Sequence, residues 1–350
     1  MSNTSIRILF FLSTICSAFC LAYAKRPLID SLDYKTNENI VTVKGRGFGS
    51  RGATVHLFDT FEKGVDGNDI KTGPGSATVG GWDRTEGNVT YSSKTSVSGN
   101  LAMRADMSSG YRNLLESTFH GDGERMLFIS YWVYLADTDH FPGKTSPHGI
   151  NWKLLWIMGE NTTDDDLVVP VKVGKEILID GNDDCLSAVS VHRSPKTPQK
   201  QWTFKKGRWH RLWAYVFASH LKEGELTLHE LTTDGVSTID KRKGVQIFCT
   251  PLSMFERLYV NGYGRQTQNS RPLYDDVYIA TGKNARARIV LGNAPDYRKC
   301  TDLAITVIQK WSDSSITTEI YRLPQKTGHG LYLFVVDSKG RISDGVPLKR

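Results

Sequence analysis

The residues able to do acid–base chemistry are scattered along the chain, some of them in strand-like runs. Asn151 and Lys153 place an amide and a cation two positions apart. Such groups neutralise a carboxylate while a carbanion-like transition state forms beside it. His148, His192, His210 and Tyr134 could take a proton from carbon. Arg104 and Arg112 add further cations. Cation, amide and proton acceptor together are the requirement of β-elimination at a uronate. Hydrolysis of a glycosidic bond needs two carboxylates flanking that bond, and no strand-like run carries such a pair.

Aromatic residues form the second set. Trp132, Trp152, Trp156, Trp209 and Trp213 are interleaved with Tyr131, Tyr134 and Tyr215. Rings that escape the core can stack on the C–H faces of sugars while polar neighbours bind hydroxyls. Strict alternation puts Trp152, Leu154 and Trp156 on one face of their strand and Asn151, Lys153 and Leu155 on the other. If the tryptophans are core, Asn151 and Lys153 line a groove. Trp132, Trp156, His210 and Arg211 complete the candidate ligand set.

Several classes are excluded. No phosphate-binding loop, dinucleotide fingerprint or nucleophile elbow has the required context, and Gly45 to Gly49 is a bend after a strand. The net charge of +7 is spread in small clusters such as Lys241-Arg242-Lys243. A nucleic-acid reader would need a concentrated patch or a recognition motif. A basic chain suits an acidic polysaccharide or an anionic surface; an ordinary solvated surface is the plainer alternative.

The first residues read as an export signal. Arg7 is the only charge before Lys25, an apolar run spans Ile8 to Leu21, and Ala22-Tyr23-Ala24 is a small-x-small cleavage site. The expectation is a signal peptide over residues 1–24, a secreted or periplasmic location, and no later membrane span. Of five cysteines, Cys16 and Cys20 would leave with the leader. Cys185, Cys249 and Cys300 allow one disulfide in an oxidising compartment. Sequence does not fix the pair; a bridge between Cys185 and Cys249 is favoured, with Cys300 free or buried.

These groups must be held by sheets. β-branched and aromatic runs recur from Ile40 to Val43, Met126 to Leu135, Trp152 to Ile157, Leu167 to Val173, Trp209 to Phe217, Leu226 to Leu231 and Leu331 to Val336. Asp180-Gly181-Asn182, Thr233-Asp234-Gly235 and Ser338-Lys339-Gly340 read as turns. The fold class is all-β, a jelly roll or sandwich, with almost no helix.

The two ends carry one set of motifs: Ile29, Val41 to Phe48, Ile289 to Gly292, Trp311 to Ile316 and Val335 to Gly340. In that order they resemble the immunoglobulin-like IPT/TIG domain, except that a long stretch separates the second from the third. The resemblance implies a split domain, 25–54 and 283–350, with a second domain, 55–282, inserted in one of its turns. A single irregular β-domain is the alternative. The middle opens with Phe58 to Gly64 and closes with Tyr274 to Ala280. It resembles a concanavalin A-like or carbohydrate-binding-module jelly roll, a fold shared with polysaccharide lyases. That resemblance implies neighbouring first and last strands, and hence a structural Ca²⁺ at Asp59, Glu62 and Asp276, because calcium takes many oxygen ligands from separate segments.

Two functions follow from these resemblances. One is a non-catalytic protein binding a polysaccharide or cell-surface glycan. The other is a polysaccharide lyase with His148, Lys153, Arg104 and Tyr134 as the reacting set. The strand motifs of alginate lyases, R-T-E-x-R and Q-[IV]-H, are absent, which favours binding.

Overall fold

The computed structural model describes residues 26–109, 112–119, 123–136, 151–159, 167–172, 176–177, 180–181, 206–248, 250–261, 264–265, 270–325 and 330–349. No α-helix occurs among the described residues, and no helix there is long and apolar enough to cross a membrane. Four antiparallel sheets form two sandwiches. The all-β reading and the two-sheet jelly-roll fold class are observed.

The larger sandwich has a proximal and a distal sheet. The proximal sheet runs through Gly235–Val245, Gly224–Thr232, Trp209–Phe217, Met126–Tyr134, Leu273–Thr281, Ala102–Ala105 and Val89–Ser92. Thr54–Asp59 also pairs with Leu273–Thr281, so the first and last strands are neighbours. The distal sheet runs through Glu176–Ile177, Leu167–Lys172, Asn151–Gly159, Phe255–Val260, Leu114–Thr118 and Arg84–Glu86.

Alternation explains both sheets. From the strand Trp209–Phe217, Leu212, Ala214 and Val216 enter the core between the two sheets, while Trp213 and Tyr215 enter a second core behind the proximal sheet. An antiparallel strand that is apolar on both faces must be covered on both. The smaller sandwich supplies that cover.

The smaller sandwich is assembled from both ends of the described chain. Leu28–Lys35, Ile40–Arg46, Ser315–Glu319 and Val307–Trp311 form its terminal sheet, and Leu303–Ile305, Arg288–Gly292, Tyr332–Val336 and Val346–Pro347 its abutting sheet. Val41, Val43, Phe48, Ile289, Leu291, Ile316, Leu333 and Val335 share one core. The alternate residues Val290, Phe334 and Val336 turn the other way and pack on Phe128, Trp213 and Tyr278 of the larger sandwich. The two sandwiches therefore meet through continuous apolar contact.

Two local readings change. Asp180–Gly181 is not a turn but a short strand paired with Val168 and Leu167. The run from Asn151 does not alternate strictly: Leu155 pairs with Val169 and Lys153 with Pro170, so Leu154 is skipped in the ladder. A bulge of this kind shifts the facing of everything beyond it.

Candidate functional site

On the distal sheet, Leu115, Leu155, Ile157, Leu258 and Val260 are core. Their alternates face outward. Register lines four of these up across four strands: Arg84 opposite Glu116, Glu116 opposite Tyr259, and Tyr259 opposite Trp156. At a strand spacing of about 4.8 Å this row is roughly 14 Å long.

The row is internally bonded. Arg84 Nε lies 3.0 Å from Glu116 Oε2. Trp156 and Tyr259 meet edge to face with centroids 5.7 Å apart. Arg257, two residues along the same strand, hydrogen-bonds Tyr259. Glu116 and Tyr259 are largely buried, whereas Arg84 and Arg257 keep 54% and 39% of their side chains exposed. Burial, followed by the Glu116 charge, raises the Tyr259 phenol above its ordinary pKa despite Arg257 and Arg84. The face thus presents a half-buried indole and two accessible guanidiniums beside a buried phenol and carboxylate. It can stack on a sugar ring and neutralise a carboxylate.

Of the sequence candidates, Trp156 belongs to this row. Asn151 and Lys153 lie on the same strand, paired with Arg265 and Pro170. His148 and His192 lie outside the described residues, as do Cys185 and Cys249. Cys300 is a buried free thiol.

The other candidates stand elsewhere. Trp132 and Arg211 are not in an open groove but buried between the sandwiches. The Arg211 guanidinium sits 5.8 Å from both the Trp132 and Trp213 rings and donates to the Leu303 carbonyl and to Ser130 Oγ. Burial, reinforced by Arg322, lowers its pKa to about 10. His210 lies inside the larger sandwich, with Nδ1 3.0 Å from Glu230 Oε1. Arg104 is committed to Asp106 at 2.9 Å, which Arg271 also binds. Arg112 lies 3.8 Å from Glu86. Tyr134 packs on Trp209. Arg104 and Tyr134 stand on the proximal sheet and Lys153 on the distal one, so the expected reacting set is not brought together.

The expected calcium ligands are engaged by protein donors. Asp59 accepts from Trp82 Nε1 at 2.7 Å and from the Phe61 amide at 3.0 Å. Glu62 accepts the amides of Asn100 and Leu101. Asp276 accepts from Ser98 Oγ and is 3.2 Å from Arg322 Nε. Among the described residues no three acidic, His or Cys side chains gather as a metal-ligand group.

Arg84, Glu116, Arg257 and Tyr259 were missed from sequence. The available signal was the run Arg257-Leu258-Tyr259-Val260, where polar and apolar residues alternate as on a strand with one dry face. Arg84 and Glu116 lie in strands with no apolar alternation of that length.

The sheet order defines an antiparallel jelly-roll sandwich. No family model matches the chain, and no curated protein matches its sequence. Among solved structures it is similar to an endo-β-1,4-glucuronan lyase from the fungus Trichoderma reesei, at 14% identity and TM-score 0.44, over 65% of this chain and 96% of that one. It is also similar to a marine alginate lyase from Aplysia kurodai, at 13% identity and TM-score 0.41, over 55% of this chain and 87% of that one. A third is the catalytic domain of a glycoside hydrolase family 131 protein from Coprinopsis cinerea, at 12% identity and TM-score 0.38, over 65% and 94%.

Proposed function

We propose that this protein acts outside the cell and binds a uronate-bearing polysaccharide across the distal sheet. The observation that carries this reading is the row Arg84, Glu116, Tyr259, Trp156. An extended sugar chain laid along the row would meet the indole with a ring face, and Arg84 and Arg257 with its carboxylates. The smaller sandwich, with its IPT/TIG-like sequence, would serve as the rigid base.

The position of Tyr259 beside Glu116 favours a second reading on the same face, a lyase. Its phenol, protonated at neutral pH like any tyrosine, can donate to a leaving oxygen. Glu116 would take the C5 proton, the C4–O bond would break with its electron pair going to oxygen, and Tyr259 would protonate that oxygen. The product carries a C4=C5 double bond conjugated with the carboxylate.

One experiment separates the readings: a panel of polyuronates and neutral glucans, scored for binding and for ultraviolet absorbance of unsaturated uronate. Trp156→Ala is expected to weaken binding about tenfold, equivalent to about 1.4 kcal/mol, and Arg84→Ala to weaken binding of polyuronates only. Absorbance growth that Tyr259→Phe removes would replace the binding reading with the lyase. Unchanged affinity in both the Trp156 and Arg84 variants would overturn the assignment of this face.

A further inference from the structure

A second site lies on the opposite side of the larger sandwich. In Asp240-Lys241-Arg242-Lys243 alternation sends Asp240 and Arg242 one way, where they pair at 2.7 Å, and Lys241 and Lys243 the other. That other way is the outer face of the proximal sheet. There Tyr215, Thr227 and Lys241 align across three strands, as do Trp213, His229 and Thr238. The facing wall comes from the smaller sandwich, with Arg286, Arg288, Tyr297 and Lys339. Together they enclose a cleft of about 360 Å³.

The cleft is strongly unbalanced in charge. Lys241, Lys243, Arg286, Arg288, Arg298 and Lys339 line it, and Glu225 is the one carboxylate among the lining residues. Glu225 is already taken by Arg286 at 2.7 Å and Lys243 at 3.4 Å. Arg298 lies at the exposed rim, 3.6 Å from Asp296. No carboxylate among the described residues pairs with Arg288, Lys241 or Lys339.

Arg288 is the telling member, because it is 6% exposed. Its guanidinium stacks 4.1 Å from the Phe128 ring centroid and donates to the Arg286 carbonyl at 2.8 Å. A cation buried without a counter-charge destabilises the fold unless an anion joins it. His229 reports the same field: burial first, then Arg288, Lys241 and Arg286, lower its pKa to about 4.

The walls are not only cationic. Trp213, stacked with His229 at 5.4 Å, and Tyr297, Val236 and Ile342 give the cleft apolar surface on the scale of a ring. A bare inorganic anion would leave that surface unused. Mixed aromatic and guanidinium lining fits a ring that carries an anionic group.

We propose that the cleft between the two sandwiches binds one acidic sugar unit, a ring bearing a carboxylate or a sulfate ester, with Arg288 and Lys241 as its counter-charges. The site is separate from the distal face and stands whether or not that face binds glycan. The chain then holds acidic glycan on two opposite sides.

The test uses the full chain and four probes: a sulfated tetrasaccharide, a uronate tetrasaccharide, a neutral glucan tetrasaccharide and inorganic sulfate. Binding is measured by calorimetry with the Trp156→Ala, Arg84→Ala double variant, which removes the ring contact and a carboxylate contact of the distal face. One or both acidic tetrasaccharides bind and the neutral one does not; the tighter of the two identifies the anionic group. Lys241→Glu and Lys339→Glu each weaken binding at least about tenfold, whereas Lys44→Glu, on an exposed strand of the smaller sandwich, does not. The His229 imidazole, followed by NMR, titrates at higher pH in the complex, because the anion offsets Arg286, Arg288 and Lys241 while Glu225 stays as before. This last readout requires no variant that might fail to fold. Equal weakening by Lys44→Glu, or an unmoved His229 titration at saturation, overturns the site. Inorganic sulfate binding as tightly as the tetrasaccharides overturns the sugar assignment.

Discussion

Arg322→Met is expected to destabilise the folded protein by about 3–5 kcal/mol. Arg322 forks onto both oxygens of Asp302, at 2.9 and 2.7 Å, and its Nε lies 3.2 Å from Asp276. Asp302 belongs to the smaller sandwich and Asp276 to the larger, so one guanidinium ties the two together. All three side chains are between 11% and 14% exposed. Burial opposes the charge, but the hydrogen bonds and charge of Asp302, with Asp276 behind them, outweigh it and hold Arg322 above its ordinary pKa. Methionine keeps most of the length and removes the charge, leaving two carboxylates buried and unopposed. Urea denaturation measures the loss. Adding Asp276→Asn to Arg322→Met should restore part of it, because neighbouring members of one charge network are non-additive. A loss below about 1 kcal/mol would mean that solvent already screens the network.

The second large effect lies at Trp82. Its side chain is fully buried, stacks on Phe61 with a 9° interplanar angle, and donates from Nε1 to Asp59. Trp82→Ala should cost about 3–5 kcal/mol for the ring alone, plus about 1–3 kcal/mol for the Asp59 carboxylate oxygen that loses the indole donor. The pH dependence identifies that carboxylate. Burial, opposed by the Trp82 and Phe61 hydrogen bonds, raises Asp59 from 3.8 to about 6. Between those values the folded chain holds a proton that the unfolded chain releases. Stability therefore falls as pH rises through this window, by about 3 kcal/mol in all. His229 acts in the opposite sense. Its pKa falls from 6.5 to about 4, so the unfolded chain holds the extra proton and stability rises with pH over that range. The two slopes offset each other in the native sequence. His229→Asn should expose the falling slope of Asp59. Trp82→Phe, which loses the N–H, should extend that slope to higher pH. A profile unchanged by either substitution would show that neither group titrates as its surroundings dictate.

The strands were legible because β-branched and aromatic runs survive any packing. Trp209–Phe217 and Met126–Tyr134 lie where their composition puts them. What each face meets was less legible. A strand such as Trp209–Phe217 is apolar on both sides, so nothing local tells the core of one sandwich from the seam between two. Trp132 and Arg211 were read as groove residues for that reason. In Asn151–Gly159 the skipped residue Leu154 breaks the count of two on which facing depends. The pairing of first and last strands is observed, but it does not reveal what the carboxylates of Asp59, Glu62 and Asp276 bond. Their donors, Trp82, the amides of Asn100 and Leu101, and Arg322, come from distant stretches with no local signature. The row on the distal sheet joins four strands whose order becomes visible only in three dimensions.

The split construction of the smaller sandwich governs the order in which the molecule can assemble. The amide of Gly49 meets the Asp313 carboxylate across 264 residues of sequence, and Ile40–Arg46 pairs with Ser315–Glu319. Closing so long a loop in a bare chain is slow, because its entropy is lost before any contact repays it. Folding the larger sandwich first removes that difficulty: Thr54 and Thr281 become direct cross-strand neighbours, and the long insertion shrinks to a local connection. During synthesis the hairpin of Leu28–Lys35 and Ile40–Arg46 must wait with an unpaired edge until Ser315–Glu319 emerges. A second nascent copy can offer the same strand to that edge, so crowded synthesis favours exchange of carboxyl-terminal strands between chains.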